Sequence, residues 1–194
     1  KDNEAYTIGE YTVLQYANKV LVDEEMGAYH NLVKAMLCYG GAAQTYFDYQ
    51  TDKLVSDGIK LDSTEKIPEH IENAMTVSGK ASGITFYGAS LVFENKVAVR
   101  YYFTYSGELK DYNFSDDLTV VDKGSLCYVE IPGVNPQDLD EGFTVTVNDT
   151  LFVTYSPMNY IVRMYGKGSD SLKPLLEAMY QYYIAAEQLC STLA

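Results

Sequence analysis

Leu32-Val33-Lys34-Ala35-Met36-Leu37-Cys38-Tyr39-Gly40-Gly41-Ala42-Ala43 and Leu175-Leu176-Glu177-Ala178-Met179-Tyr180-Gln181-Tyr182-Tyr183-Ile184-Ala185-Ala186 are two versions of one pattern. Six residues match at a constant spacing of 143: Leu32/Leu175, Ala35/Ala178, Met36/Met179, Tyr39/Tyr182, Ala42/Ala185 and Ala43/Ala186. Their positions within each stretch (i, i+3, i+4, i+7, i+10, i+11) fall on one face of an α-helix. Leu, Met and Tyr fill that face, and the paired alanines admit a close neighbour.

The similarity extends upstream at a spacing of 144, where Tyr11-Thr12-Val13-Leu14-Gln15-Tyr16 corresponds to Tyr155-Ser156-Pro157-Met158-Asn159-Tyr160. Both copies offer a hydroxyl residue as helix N-cap. Thr12 with Gln15 at N3 spells a capping box, and Pro157 at N1 loses no hydrogen bond. Each copy reads as helix, turn, longer helix, predicted near 12–22, 27–47, 157–165 and 171–190. Before the first helix, Asn3 to Tyr11 resembles Asn148 to Tyr155. Residues 3–11 are therefore expected to be the last strand of a preceding unit, with the chain a slice of a longer array.

Between the two helical copies the period changes. Val97, Val99, Tyr101, Phe103 and Tyr105 alternate with Ala98, Arg100, Tyr102 and Thr104, the signature of a strand. Further strands are expected at 84–93 (broken by Gly88), 118–121, 125–131, 143–147 and 150–154. Asn148-Asp149 marks a tight hairpin, and 133–139 a crossing loop with one helical turn. The fold class is α+β: a central antiparallel β-sandwich, Ig-like with about six or seven strands, flanked by two related helical hairpins. The expected organisation is 1–50, an N-terminal hairpin with a leading strand; 51–76, an acidic linker with a short helix at Pro68–Ala74; 77–155, the sandwich; and 156–194, the second hairpin.

The chain of 194 residues carries 14 Lys and Arg against 27 Asp and Glu, a net charge of -13. That charge disfavours nucleic acid and anionic membrane surfaces as partners. No apolar run is long enough to span a bilayer. Lys1 opens the chain without a leader, as a fragment or mature chain is expected to. Three distant cysteines, Cys38, Cys127 and Cys190, are expected to be reduced, small, buried hydrophobes.

Several residue groups suggest chemistry. Asp111, Asn113, Ser115, Asp117 and Asp122 space oxygen ligands like a calcium loop, although Asp116 stands where the sharp turn wants Gly and Asp122 is shorter than the usual Glu. Calcium is the one cofactor this pattern suggests. Tyr87, Tyr102 and Tyr112 are candidate sugar-stacking platforms, Tyr102 being on the strand face opposite Tyr101. Asp138, Asp140 and Glu141 cluster as paired carboxylates could for glycan hydrolysis. Ser63-Thr64-Glu65-Lys66 matches the S-x-x-K nucleophile motif without its companion elements. His30 and His70 sit in polar contexts and are read as ordinary surface residues.

Tyr11 to Tyr16, the helix Ala35-Met36…Tyr39-Gly40-Gly41-Ala42-Ala43-Gln44…Tyr46-Phe47, Asp48-Tyr49…Asp52, and Phe86-Tyr87-Gly88-Ala89-Ser90-Leu91 with Val99-Arg100-Tyr101-Tyr102-Phe103 together resemble a module of large secreted proteins of gut Firmicutes. In that module a β domain precedes a helical hairpin, beside bacterial Ig-like repeats, dockerins or carbohydrate-active domains. The resemblance implies an extracellular or cell-surface setting and an accessory role, with neighbouring domains of the same polypeptide as partners and a glycan or protein as ligand. It carries over no catalytic residue. The alternative is a glycan-directed hydrolase using acidic side chains.

Overall fold

The computed structural model describes residues 12–72, 75–93, 97–115 and 118–193. The fold is mixed α+β. Four α-helices, α1 (Val13–Val22), α2 (His30–Tyr46), α3 (Pro157–Lys167) and α4 (Lys173–Leu193), bracket seven strands among the described residues. The strands are β1 (Met75–Gly79), β2 (Ile84–Phe93), β3 (Val97–Tyr105), β4 (Val120–Asp122), β5 (Leu126–Pro132), β6 (Phe143–Val147) and β7 (Leu151–Tyr155). They form two antiparallel sheets, ordered β1-β7-β6 and β2-β3-β5-β4.

Local signals set the helix starts. Thr12 Oγ1 accepts from Gln15 N at 3.1 Å while Gln15 Oε1 accepts from Thr12 N at 2.9 Å, completing the capping box. Ser156 Oγ accepts from Asn159 N, with Pro157 in the first turn. A 3-10 segment, Glu24–Tyr29, separates α1 from α2, so α2 begins later than its apolar period suggests. His30 Nε2 lies 2.9 Å from Val20 O and 3.0 Å from Asp23 O. Facing two carbonyls, that nitrogen carries the hydrogen, and it closes the end of α1.

The two sheets turn their apolar alternations toward one core. Val99, Tyr101 and Phe103 of β3, Cys127 and Val129 of β5, Val145 and Val147 of β6, and Leu151, Val153 and Tyr155 of β7 are all buried. Met158, Ile161, Leu175, Leu176 and Met179 extend the same cluster into α3 and α4. Tyr101 ties the sheets together, its hydroxyl donating to the β6 carbonyl of Phe143 at 2.6 Å. Asn148 and Asp149 both take positive φ, 51° and 54°, which gives the hairpin a twist matching its strands. All three cysteines are free, but only Cys127 is buried: Cys38 is half-buried on α2, and Cys190, near the end of α4, is exposed, contrary to expectation. Burial pushes the Cys127 thiol up to about 11.

Of the six matched pairs, Ala35, Leu175, Met179, Ala185 and Ala186 are buried and the other seven residues half-buried. Tyr39 and Tyr182 stack on each other at 6.0 Å. Segment 51–72 departs from its expected form. Pro68–Glu72 contains no helix, while Asn73 and Ala74 lie outside the described residues. Met75 and Thr76 belong to β1, paired with Tyr155 and Thr154. The segment is held by α2: Gln44 Nε2 donates to the carbonyls of Gln50 and Lys53, each at 3.2 Å, and Gln44 Oε1 accepts from Val55 N at 2.8 Å. Residues 3–11, expected to be a strand, lie outside the described residues.

Candidate binding face

Strand β3 has two faces. Its inner one is buried; its outer one carries Ala98, Arg100, Tyr102 and Thr104. Register places Tyr102 between Gly88 of β2 and Tyr128 of β5, and Arg100 between Ser90 and Glu130. The Arg100 guanidinium donates through Nε and Nη2 to one Glu130 oxygen, at 3.0 and 2.6 Å. Its Cζ stands 4.3 Å from the Tyr128 ring centroid, a cation–π distance. Tyr128 in turn lies 5.8 Å from the Tyr102 ring at 54°. Gly88 leaves the space on its side of Tyr102 open, since a Cβ there would touch nothing within 4 Å. Beside this cluster Arg100, Tyr128, Glu130, Pro132, Thr119 and Val121 line an open depression of about 580 Å³.

The arrangement offers a half-exposed aromatic surface next to a fixed donor–acceptor pair. An apolar ring face covers the C–H side of a sugar, and a guanidinium with a carboxylate engages vicinal hydroxyls.

The three tyrosines singled out from sequence have different surroundings. Tyr102 belongs to the cluster. Tyr87 is the extra residue of the bulge between Phe86 and Gly88 and is 73% exposed. Tyr112 donates its hydroxyl to Ser106 O at 2.6 Å and packs edge-on against Tyr105, holding the turn after β3. Arg100, Tyr128 and Glu130 were not singled out. The alternation of Arg100 with Val99 and Tyr101, and of Tyr128 and Glu130 with Cys127, Val129 and Ile131, is visible in the sequence, but the register that places them around Tyr102 is not.

The calcium-like run crosses from one sheet to the other. Asp111 ends a 3-10 turn. Asn113 N donates to Asn148 Oδ1 and Ser115 Oγ accepts from Thr146 N, both at the β6–β7 hairpin. Asp122 lies in β4, where its carboxylate accepts from the Tyr105 hydroxyl at 2.7 Å and from Gly124 N at 2.8 Å. These bonds hold the Asp122 carboxyl below the usual range, the Tyr105 bond being the larger cause. Asp117 lies outside the described residues. Among the described residues no three His, Cys, Asp or Glu side chains gather as metal ligands do.

The remaining candidates serve packing contacts. Asp138 accepts from Asn135 Nδ2 at 2.7 Å, and burial followed by the charge of Asp140 raises the Tyr183 hydroxyl of α4 above its ordinary value. Ser63 to Lys66 is irregular backbone laid on α4, with Glu65 N and O bonded to the Gln181 amide.

Comparison with protein-family models, with curated proteins and with solved structures finds no match to the chain. No helix among the described residues is long and apolar enough to cross a membrane.

Proposed function

We propose that the chain is a non-catalytic accessory module of a multidomain bacterial surface or secreted protein. Its β part is an Ig-like sandwich flanked by two related helical hairpins. It binds a glycan weakly, through the outer face of the four-stranded sheet. The carrying observation is the cluster of Tyr102, Tyr128, Arg100 and Glu130, with open space over Gly88. Stacking surface and oriented polar groups are what recognition of a neutral or weakly charged sugar needs. The net charge of -13 makes a strongly anionic glycan a poor ligand. The resemblance to a secreted module of gut Firmicutes supports the extracellular setting.

A glycan array with the full chain tests this reading. A hit should weaken by roughly tenfold or more in Tyr128→Ala, about 1.4 kcal/mol, and remain in Tyr112→Phe, where the ring is kept. No hit on neutral glycans, or a hit indifferent to Tyr128, would remove the outer face from consideration.

A further inference from the structure

The contact between α2 and α4 is close to symmetric. Tyr39 and Tyr182, equivalent positions of the sequence repeat, stack at 6.0 Å with their planes 25° apart. Asn31, early in α2, donates to Gln188, late in α4. A shift of 143 exchanges that pair for Pro174 and Thr45, which line one depression at the other end of the two helices. Contacts that map onto themselves in this way mark an isologous interface about a local twofold axis.

Among the described residues, one side of that axis has a neighbour that the other lacks. Helix α3 enters directly from β7, and its first turns are covered: Pro157, Met158 and Ile161 are buried. Met158 N donates to Leu139 O at 2.6 Å, and the Tyr160 ring meets Phe93 of β2 at 6.1 Å. Phe47, at the end of α2, also reaches Phe93, at 6.4 Å. Of the equivalents in the first copy, Ala17 is buried and Leu14 half-buried, while Val13 and Tyr16 are exposed. Val13, matching Pro157, is 73% exposed, and Tyr16, matching Tyr160, is 60% exposed. The counterpart of Phe47 is Cys190, which is exposed, and beyond it Leu193 is 64% exposed.

We infer that Val13 and Tyr16 of α1, with Cys190 and Leu193 at the end of α4, form the seat for a second β unit of the same kind as residues 75–155. That unit docks end-on, as the first is docked on α3 and the end of α2. The established interface names the occupant, because the same helical face in the same repeat already receives such a unit on the other side of the axis. The caps Thr12 and Ser156 are both extended, with ψ 156° and 137°, as N-caps commonly are. A second whole copy fits less well, since the end of its own β unit is covered by its own α3 and α4. This inference does not rest on glycan binding.

The test extends the chain. A further copy of residues 75–155 is placed ahead of Thr12, so that its last residue runs into Thr12 as Tyr155 runs into Ser156. Amide hydrogen exchange is read along α1. Docking should slow exchange at Tyr16–Leu21 by on the order of tenfold or more relative to the original chain. Tyr16→Asp in the extended chain should abolish the slowing, while in the original chain, where Tyr16 is bare, it should leave exchange in α2 and α4 unchanged. Unchanged α1 exchange overturns the inference, whether the added unit folds apart or fails to fold. So does a concentration-dependent dimer of the original chain that Tyr16→Asp dissolves, for the seat would then belong to a second copy.

Discussion

Tyr101 and Tyr155 meet edge to face in the core, their rings 6.5 Å apart, yet their hydroxyls differ in fate. Tyr101 donates to Phe143 O at 2.6 Å. Tyr155 Oη is buried and has no hydrogen-bond partner among the described residues. An unmade bond at a buried polar atom carries a desolvation penalty with no return. Tyr101→Phe should therefore destabilise by about 1–2 kcal/mol, because it breaks the side-chain hydrogen bond that links the sheets. Tyr155→Phe should be neutral or stabilise by up to about 1 kcal/mol. Urea midpoints at unchanged slope measure both. Equal losses in the two variants would contradict the bonding described. Sequence alternation alone shows that both rings point inward. It does not show which hydroxyl finds a carbonyl, because Phe143 lies in the other sheet, 42 residues away in the chain.

Element by element, what was readable follows from how local each signal is. The capping box and the Asn148-Asp149 turn are written within four residues, and both formed where expected. Strand β1 was missed for a physical reason. It is a five-residue edge strand exposed throughout, so only its pairing with β7 defines it. The segment before it is shaped by α2, through the pair Gly40-Gly41 and the Gln44 amide. A Cβ on Gly41 would run into the Ser56 side chain, so a glycine here lets residues 54–57 lie against the helix. The second copy has Tyr183 and Ile184 at the equivalent positions. Gly41→Ala should cost about 1–3 kcal/mol by overpacking, despite the better helix propensity of Ala. Gln44→Ala should cost about 2–4 kcal/mol, since three hydrogen bonds of roughly 0.5–1.5 kcal/mol each are lost together. It should also speed proteolysis within 50–57. A Gln44→Ala protein with unchanged proteolysis there would show that the amide does not clamp this segment.

At the scale of the whole molecule, the abundance of tyrosine makes the fold sensitive to alkali. Burial is the first cause that pushes the Tyr155 hydroxyl up to about 12, and it raises Tyr101 further. The ordinary value in the unfolded chain is about 10. Between these values the native state keeps protons that the unfolded state has released. The contribution is thus full below pH 10 and is lost as pH climbs toward the native values, at up to roughly 1.4 kcal/mol per pH unit for each such tyrosine. The surface pair behaves in the same sense at high pH, since the bond to Asp122 holds Tyr105 up to about 12. Asp122, held low, adds stability at neutral pH that disappears only as acid takes the pH down through its depressed value. A net charge of -13 also grows more repulsive in alkali, but that effect spreads over the exterior and is screened within about 3 Å at 1 M salt. Ionisation of a core tyrosine is not. Denaturant midpoints should therefore be flat from neutral pH to about pH 9 and fall steeply above about pH 10. Most of that fall should persist in 1 M salt, and its slope should be shallower in Tyr155→Phe. A fall abolished by salt, with the slope unchanged in Tyr155→Phe, would place the alkaline instability on surface charge and take it away from the tyrosine core.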